Sequence, residues 1–478
     1  MSFRDLVDLA SERLGGSVLY ATDDYFAEKE NLLKQPPAVW KEHEYTDRGK
    51  WMDGWESRRK RVEGHDYAII RLGAPGVIRG VVVDTAFFRG NYPSHCSIEA
   101  TVAKMETPHE ELANWIEILP KSALNGNSEN EFAVQSPLAF THLRFHIYPD
   151  GGVARLRVYG DVVPDWHREG GLDNELDLAA IEHGGQVLTC SDMFFGPKHN
   201  LIMPGRAHNM SDGWETKRSR GPNHKDWVIV KLACEAELRR VELDTNWFKG
   251  NFPDTASLDA SRDGENWTEI LPRTKLLAHT RHMYDVGGQA PSPVIATHIR
   301  LNVYPDGGVS RMRVHARATE AGRGAMIAQH INTLADQDAL HRVCGSSEWV
   351  RRMLAARPMN DAFATSDEIW NALTPDDWRE AFAAHPRIGE KKGGAWSSQE
   401  QSGTKSATDQ VIQELANANR AYEERFGHIY IVCATGKSAD EMLRTCFERL
   451  ANDPETELRV AAEEQRKIMH LRLNKLVK

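Results

Sequence analysis

No two cysteines in this sequence lie close enough to form a CxxC pair. The six, Cys96, Cys190, Cys234, Cys344, Cys433 and Cys446, are scattered along 478 residues. That spacing excludes a zinc knuckle or a thioredoxin-like centre and suggests free thiols in a reducing compartment. Nor is there a surplus of basic charge. The chain carries 59 Lys and Arg against 69 Asp and Glu, a formal charge of −10, so a nucleic-acid partner, which needs a basic face, is not expected. No apolar run approaches the ~18 residues that suggest a membrane helix. The opening stretch MSFRDLVDLASERLGG is charged throughout and lacks the apolar core of a signal peptide. A cytoplasmic protein with no membrane partner is therefore expected. There is no HExxH and no other dense ligand motif, so no metal ligand is assigned.

The length fits roughly three domains at about 150 residues each, and the sequence spells much of its first two thirds twice. DGWESRRKR at 53–61 returns as DGWETKRSR at 212–220, 159 residues later. GSVLYATD at 16–23 matches GQVLTCSD at 185–192, and DTAFFRGNYP at 84–93 matches DTNWFKGNFP at 244–253. WIEILP at 115–120 matches WTEILP at 267–272, and THLRFHIYPDGGVAR at 141–155 matches THIRLNVYPDGGVSR at 297–311. Order and spacing are kept over a period far too long for a solenoid, which implies a duplicated domain.

Each copy has the texture of an all-β domain. Leu143, Phe145 and Ile147 alternate with Arg144, His146 and Tyr148, the period of a half-buried strand. The PDGG that follows supplies a turn in which glycine tolerates positive φ, and a second alternating strand comes after it. Short strands with turn signals and little helix predict a β-sandwich in each copy, with a Gly-, Asp- and Glu-rich linker at 165–177.

After residue 318 the punctuation becomes helical. TPDD at 374–377 offers a capping Thr, a first-turn Pro and acids that suit the helix N-terminus. SADE at 438–441 has capping-box spacing. Val411, Leu415, Ala418, Tyr422 and Phe426 fall on one helical face. An all-α domain is predicted over 321–478. In its centre HPRIG (385–389) precedes a Gly- and Lys-rich loop and then WSSQEQSG (396–403). Pro386 disfavours helix at His385 and places it at a helix end. A loop with His, Arg, Ser, Glu and Gln has the composition of a small-molecule site; a solvated helix–helix connection would have much the same one.

The motifs DGWES/TxR, DTxFFxGNxP and LRxxxYPDGGVxR resemble the allantoicase family over about residues 1–320, and the resemblance implies two jelly-roll-like (galactose-binding-like) sandwiches. HPRIG, SxxEQ (397–401), RFGxxYIV (425–432) and the closing EQRKI (464–468) resemble 2-oxo-4-hydroxy-4-carboxy-5-ureidoimidazoline (OHCU) decarboxylase over about 321–478. The implied layout is 1–166, 167–320 and 321–478. His428 and Tyr430 stand where the second family often has apolar or Phe side chains. Together the resemblances imply a bifunctional enzyme of urate and allantoin breakdown. It would hydrolyse allantoate to ureidoglycolate and urea, and decarboxylate OHCU to (S)-allantoin. Because a separate hydrolase must open allantoin to allantoate, the two steps are not consecutive.

For the decarboxylase the resemblance implies catalytic His385 and Glu400, substrate-binding Pro386, Ser397, Gln401, Arg425 and Ile429, and no cofactor. For the duplicated half the chemistry asks for a cation to hold a carboxylate and an acid/base pair to release urea. The candidates are Asp53, Glu56, Arg59, Arg61, His65, Arg89 and Asn91 in the first copy. In the second they are Glu215, Arg218, Arg220, His224, Lys249 and Asn251, with a divalent metal left open. Trp55 and Trp214, Gly90 and Gly250, and Pro93 and Pro253 are expected to serve the fold, as are His142 and His298. The partners expected are small molecules and further copies of the chain in a homo-oligomer. The rival reading makes the duplicated half a ligand-binding or oligomerisation module, with only the decarboxylase catalytic.

Overall fold

The computed structural model of the chain describes residues 2–166, 171–221, 223–288, 292–334, 336–387 and 409–477. Two compact units divide it, Met1–Gly322 and Arg323–Lys478.

The first unit holds two eight-stranded antiparallel sheets of the same strand order. In the first repeat the principal strands are β1 (Asp66–Asp84), β2 (His95–Thr101), β3 (Ala139–Tyr148) and β4 (Arg155–Val162). In the second they are β5 (Asp226–Asp244), β6 (Thr255–Ser261), β7 (Ile295–Tyr304) and β8 (Arg311–Ala318). The 19-residue strand β1 pairs with both β3 and β4. Its residues 66–71 pair with 142–147 of β3, and its residues 76–84 pair with β4. Between them lies Gly73-Ala-Pro-Gly76, where the register against β3 shifts, which is where a proline is tolerated in a sheet. In the second repeat β5 changes partners in the same way between Lys231 and Ala236.

Alternation along β3 places Leu143, Phe145 and Ile147 in the core at zero exposure. Each such side chain contributes roughly 1.5–3 kcal/mol by leaving water. The opposite face departs from simple alternation, because His146 is also buried. The two glycines of the PDGG turn have different reasons to be there. Gly151 has φ +135° and Gly307 φ +130°, so both need the freedom glycine gives. A Cβ on Gly152 or on Gly308 would instead stand 1.9 Å from Phe88 or Phe248.

From residue 320 the chain is helical. Among the described residues the helices are α1 (Glu320–Thr333), α2 (Gln337–Val343), α3 (Ser347–Ala355), α4 (Ala362–Asn371), α5 (Pro375–Ala383), α6 (Asp409–Phe426), α7 (Ala439–Arg449) and α8 (Pro454–Lys475). Thr374 and Asp377 form the capping box of α5, and Ser438 and Glu441 that of α7. Leu415, Ala418 and Tyr422 bury the predicted face of α6 against Met442, Leu443 and Cys446 of α7, with Val411 and Phe426 at its edge. Under the helix ends, Glu457 accepts from Arg449 Nε at 2.8 Å and from the Tyr422 hydroxyl. No helix among the described residues is long and apolar enough to cross a membrane, and all six cysteines are free thiols.

Candidate functional sites in the two units

In each repeat the site starts from a tryptophan. Trp55 and Trp214 are fully buried, and their indole N–H groups donate to the carbonyls of Asp23 and Asp192 at 2.8 and 2.9 Å. Each lies in a two-residue strand, Trp55–Glu56 or Trp214–Glu215, paired with the glycine hairpin. Neighbours on a strand point to opposite faces, so burying the tryptophan turns the following glutamate outward. Glu56 Oε1 then accepts from Asn91 Nδ2 at 2.7 Å, and Glu215 makes the same bond with Asn251. Burial pushes both carboxyl groups above the usual range, and the amide hydrogen bond only partly offsets it. A carboxyl held this way keeps its proton to higher pH than an exposed one and suits a general acid.

The second copy of this pair opens on a cleft of about 580 Å³ whose walls include Glu215, Arg218, Asn251, Asp254 and Pro305. Gly250 is also on the wall, and a Cβ there would meet nothing within 4 Å, as at Gly90. The expected structural reason for these two glycines is therefore not steric. Arg218 is exposed and supplies a cation, with Arg59 at the matching place in the first repeat. Arg61, Arg89, Arg220 and Lys249 are exposed as well.

Asp53 has a different post. Its carboxylate takes Arg155 at 3.0 Å and the Val39 N–H at 2.9 Å, and Asp212 takes Arg311 at 3.2 Å. These arginines are 3% exposed, so the repeated aspartate is the anchor of a buried ion pair beneath the loop. Replacing one partner leaves a buried charge, which typically costs 3–5 kcal/mol. Arg155→Met is expected to lower stability by about that amount, measured as a drop in the urea midpoint at constant slope.

His65 and His224 align in the sequence but are not equivalent. Lys225 is an extra residue between His224 and the strand. It lets His224 Nε2 approach the Asp226 carboxylate at 3.2 Å, whereas His65 Nε2 lies 2.9 Å from His146 Nδ1. His142 and His298 are held within the sheet beside Thr141 and Thr297. Burial drives His142 down to about 4, which fits a structural role.

In the C-terminal unit His385 follows α5, its N–H bonded to the Phe382 carbonyl at 3.0 Å. Arg472 on α8 places Nη2 3.4 Å from His385 Nδ1. A guanidinium can only donate, so Nδ1 accepts here and the neutral imidazole carries its proton on Nε2. Arg472 was not singled out from the sequence, being 87 residues away; the Leu/Arg tail after EQRKI was its only trace. Pro386 is half-buried beside the histidine, and Ile429 is half-buried next to His428. The His428 ring packs 5.2 Å from Phe382, and burial lowers its pKa. Arg425 is exposed and donates to the Asn452 carbonyl at 3.0 Å, a tie between helix ends. Ser397, Glu400 and Gln401 lie outside the described residues. Among the described residues no group of three or more His, Cys, Asp or Glu is arranged to hold a metal ion.

Two polar-walled sandwiches and a separate helical unit with a histidine–arginine pair describe a fusion of small-molecule enzymes. The allantoicase repeat model matches residues 7–163 and 176–319, and the OHCU decarboxylase model matches 331–474. The chain belongs to the allantoicase family and continues into an OHCU decarboxylase domain. It is 49% identical over 330 residues to a probable allantoicase of Pseudomonas fluorescens (strain SBW25), covering 66% of this chain and 98% of that one. It is 49% identical over 328 residues to the allantoicase of Dictyostelium discoideum, covering 65% and 87%. The crystal structure of allantoicase from Saccharomyces cerevisiae aligns with a TM-score of 0.57 and 36% identity, over 65% of this chain and 92% of that one.

Proposed function

We propose that the chain is a bifunctional enzyme of purine catabolism. One half releases urea from allantoate to leave ureidoglycolate, and the other decarboxylates OHCU to (S)-allantoin. The observation that carries the first activity is the glutamate–asparagine hydrogen bond, present in both repeats. Allantoate carries a carboxylate and two ureido arms on one carbon. Arg218, and Arg59 in the first repeat, hold the carboxylate. The asparagine amide, having spent one N–H on the glutamate, offers its oxygen to a ureido N–H. The glutamate gives its proton to the departing nitrogen, and water adds to the central carbon, so allantoate and water become ureidoglycolate and urea.

In the helical unit, breaking the carbon–carboxylate bond leaves its electron pair in the ring's carbonyl and imine system, so the substrate is its own electron sink. His385 exchanges the proton that sets configuration, through Nε2, while Arg472 fixes the imidazole at Nδ1. Glu400 as a second catalytic group, and Ser397, Gln401, Pro386, Arg425 and Ile429 as substrate-binding residues, complete the set by resemblance to a family that works without a cofactor.

The three domains run over 1–166, 167–320 and 321–478 in this reading, and the chain works in the cytoplasm as a homo-oligomer. The side by side exposure of Met193, Phe194 and Phe195, at 51%, 71% and 58%, supports self-association. Purified chain given allantoate, with and without added Mn²⁺ and with a chelator, is expected to release urea stoichiometric with ureidoglycolate. No urea under any of these conditions makes the sandwiches a binding or assembly module instead.

A further inference from the structure

The two repeats differ where a strand histidine of the first meets its neighbours. In the first, Glu99 on β2, His146 on β3 and His65 just before β1 form a line. Glu99 Oε2 is 3.0 Å from His146 Nε2, and His146 Nδ1 is 2.9 Å from His65 Nε2. A carboxylate only accepts, so His146 carries its proton on Nε2 and offers a lone pair at Nδ1. His65 must then donate from Nε2, which leaves its own Nδ1 as a base. The hydrogen bonds alone set both tautomers.

The second repeat has lost this line. Asn302 stands for His146 and Asp259 for Glu99, and Asn302 Nδ2 donates to Asp259 at 2.9 Å. Asn302 Oδ1 is buried and has no hydrogen-bond partner among the described residues. His224 is drawn off to Asp226.

The open end of the line lies against Tyr148, the residue before Pro149. The His65 ring is 4.4 Å from Tyr148, whose carbonyl accepts from Ser94 N and Oγ, both at 3.0 Å. Tyr148 leads directly into Pro149. The counterparts of Ser94 and Pro149 are Asp254 and Pro305, and both line the second-repeat cleft.

We infer that the first repeat is the hydrolytic copy, and that His65, His146 and Glu99 form a two-imidazole relay that removes the proton of the attacking water. The inference rests on the allantoate reading above. The water oxygen bonds to the central carbon as the carbon–nitrogen bond breaks. That bond's electron pair goes to the urea nitrogen, which takes a proton from Glu56. The water's proton goes to His65 Nδ1, and the proton on His65 Nε2 moves to His146 Nδ1. Glu99 balances the imidazolium so formed. His65 is the catalytic residue; His146 and Glu99 act through it as positioning residues. Burial holds both imidazoles below their ordinary range, so both are bases at neutral pH. The charged and titratable groups around them are Lys60, Asp66, Tyr67, Lys121, Arg144 and Tyr148.

The test is steady-state urea release by the full chain and its His65→Asn and His146→Asn variants, the latter copying the second repeat. Losing a general base typically removes about 10²–10⁴ in rate, so His65→Asn is expected to lower kcat by about 10²–10³ with KM within about threefold. His146→Asn is expected to lower kcat by about tenfold or more and to move the acid limb of the kcat/KM profile. A folded variant of either kind with wild-type kcat overturns the relay, as does a loss at His146 with the acid limb unmoved. Should His146→Asn not fold, His65→Asn decides, since His65 is half-exposed outside the sheet. If the wild-type chain releases no urea, the substrate reading fails and the relay is judged by ¹⁵N-histidine NMR. Nε2–H tautomers at both positions are then expected, and an Nδ1–H tautomer at either overturns the relay.

Discussion

His385→Asn is expected to lower OHCU decarboxylation by about 10²–10⁴-fold, the usual contribution of a positioned acid/base group. The chain should keep its fold, because the backbone N–H bond to Phe382 that ends α5 does not involve the side chain. Asparagine retains polarity and near-equal length but exchanges no proton. Loss of CO2 without a group to direct protonation continues slowly in solution and gives both hands of allantoin. The readout is therefore double: the rate falls, and the product loses the circular dichroism of the (S) form. Arg472, which holds the imidazole at Nδ1, is expected to share in the phenotype. A folded His385→Asn chain with full, stereospecific activity would remove this residue from the mechanism.

The second large effect is expected from Glu56→Gln combined with Glu215→Gln. Replacing both copies makes the outcome independent of which repeat turns over. Urea release should fall by about 10²–10⁴-fold, while thermal stability should be unchanged or higher. The reason is linkage. Burial raises both carboxyl pKa values above their unfolded values, so the ionised form is disfavoured in the folded chain. That cost is absent below the unfolded-state pKa, grows as pH rises from there towards the native pKa, and stands at its full extent above it. Glutamine is neutral at every pH and does not incur it. Lower activity with equal or higher melting temperature at neutral pH identifies a group kept for chemistry rather than packing. The wild-type activity should also decline as pH rises through the raised carboxyl pKa, since the acid must carry its proton.

Much of this was legible because local chemistry and global fold agree. The 3.6-residue face of α6, the capping boxes at Thr374 and Ser438 and the β3 hairpin each have one reason to exist, and that reason is local. The repeated glutamate was a candidate only together with Arg59, Arg61 and His65, because a repeated charged cluster does not say which member the strand turns outward. Sequence could not separate Asp53 from Glu56, because a repeated acid is equally well explained by a buried ion pair, and Arg155 is 102 residues away. His65 and His224 looked equivalent because one inserted residue, Lys225, is invisible to a motif but changes the partner. The Glu99–His146–His65 line joins two strands and a loop, and only the departure of His146 from its expected exposed face hints at it.

Two independent chemistries on one chain are separated by a crossed assay. Both activities are measured on wild type, on His385→Asn and on the Glu56→Gln, Glu215→Gln chain. Wild type is predicted to make (S)-allantoin from OHCU and urea from allantoate. His385→Asn is predicted to lose the first and keep the second, and the double glutamine variant to keep the first and lose the second. A wild-type chain that lacks either activity, or a folded variant that loses both together, would contradict two independent chemistries on this chain.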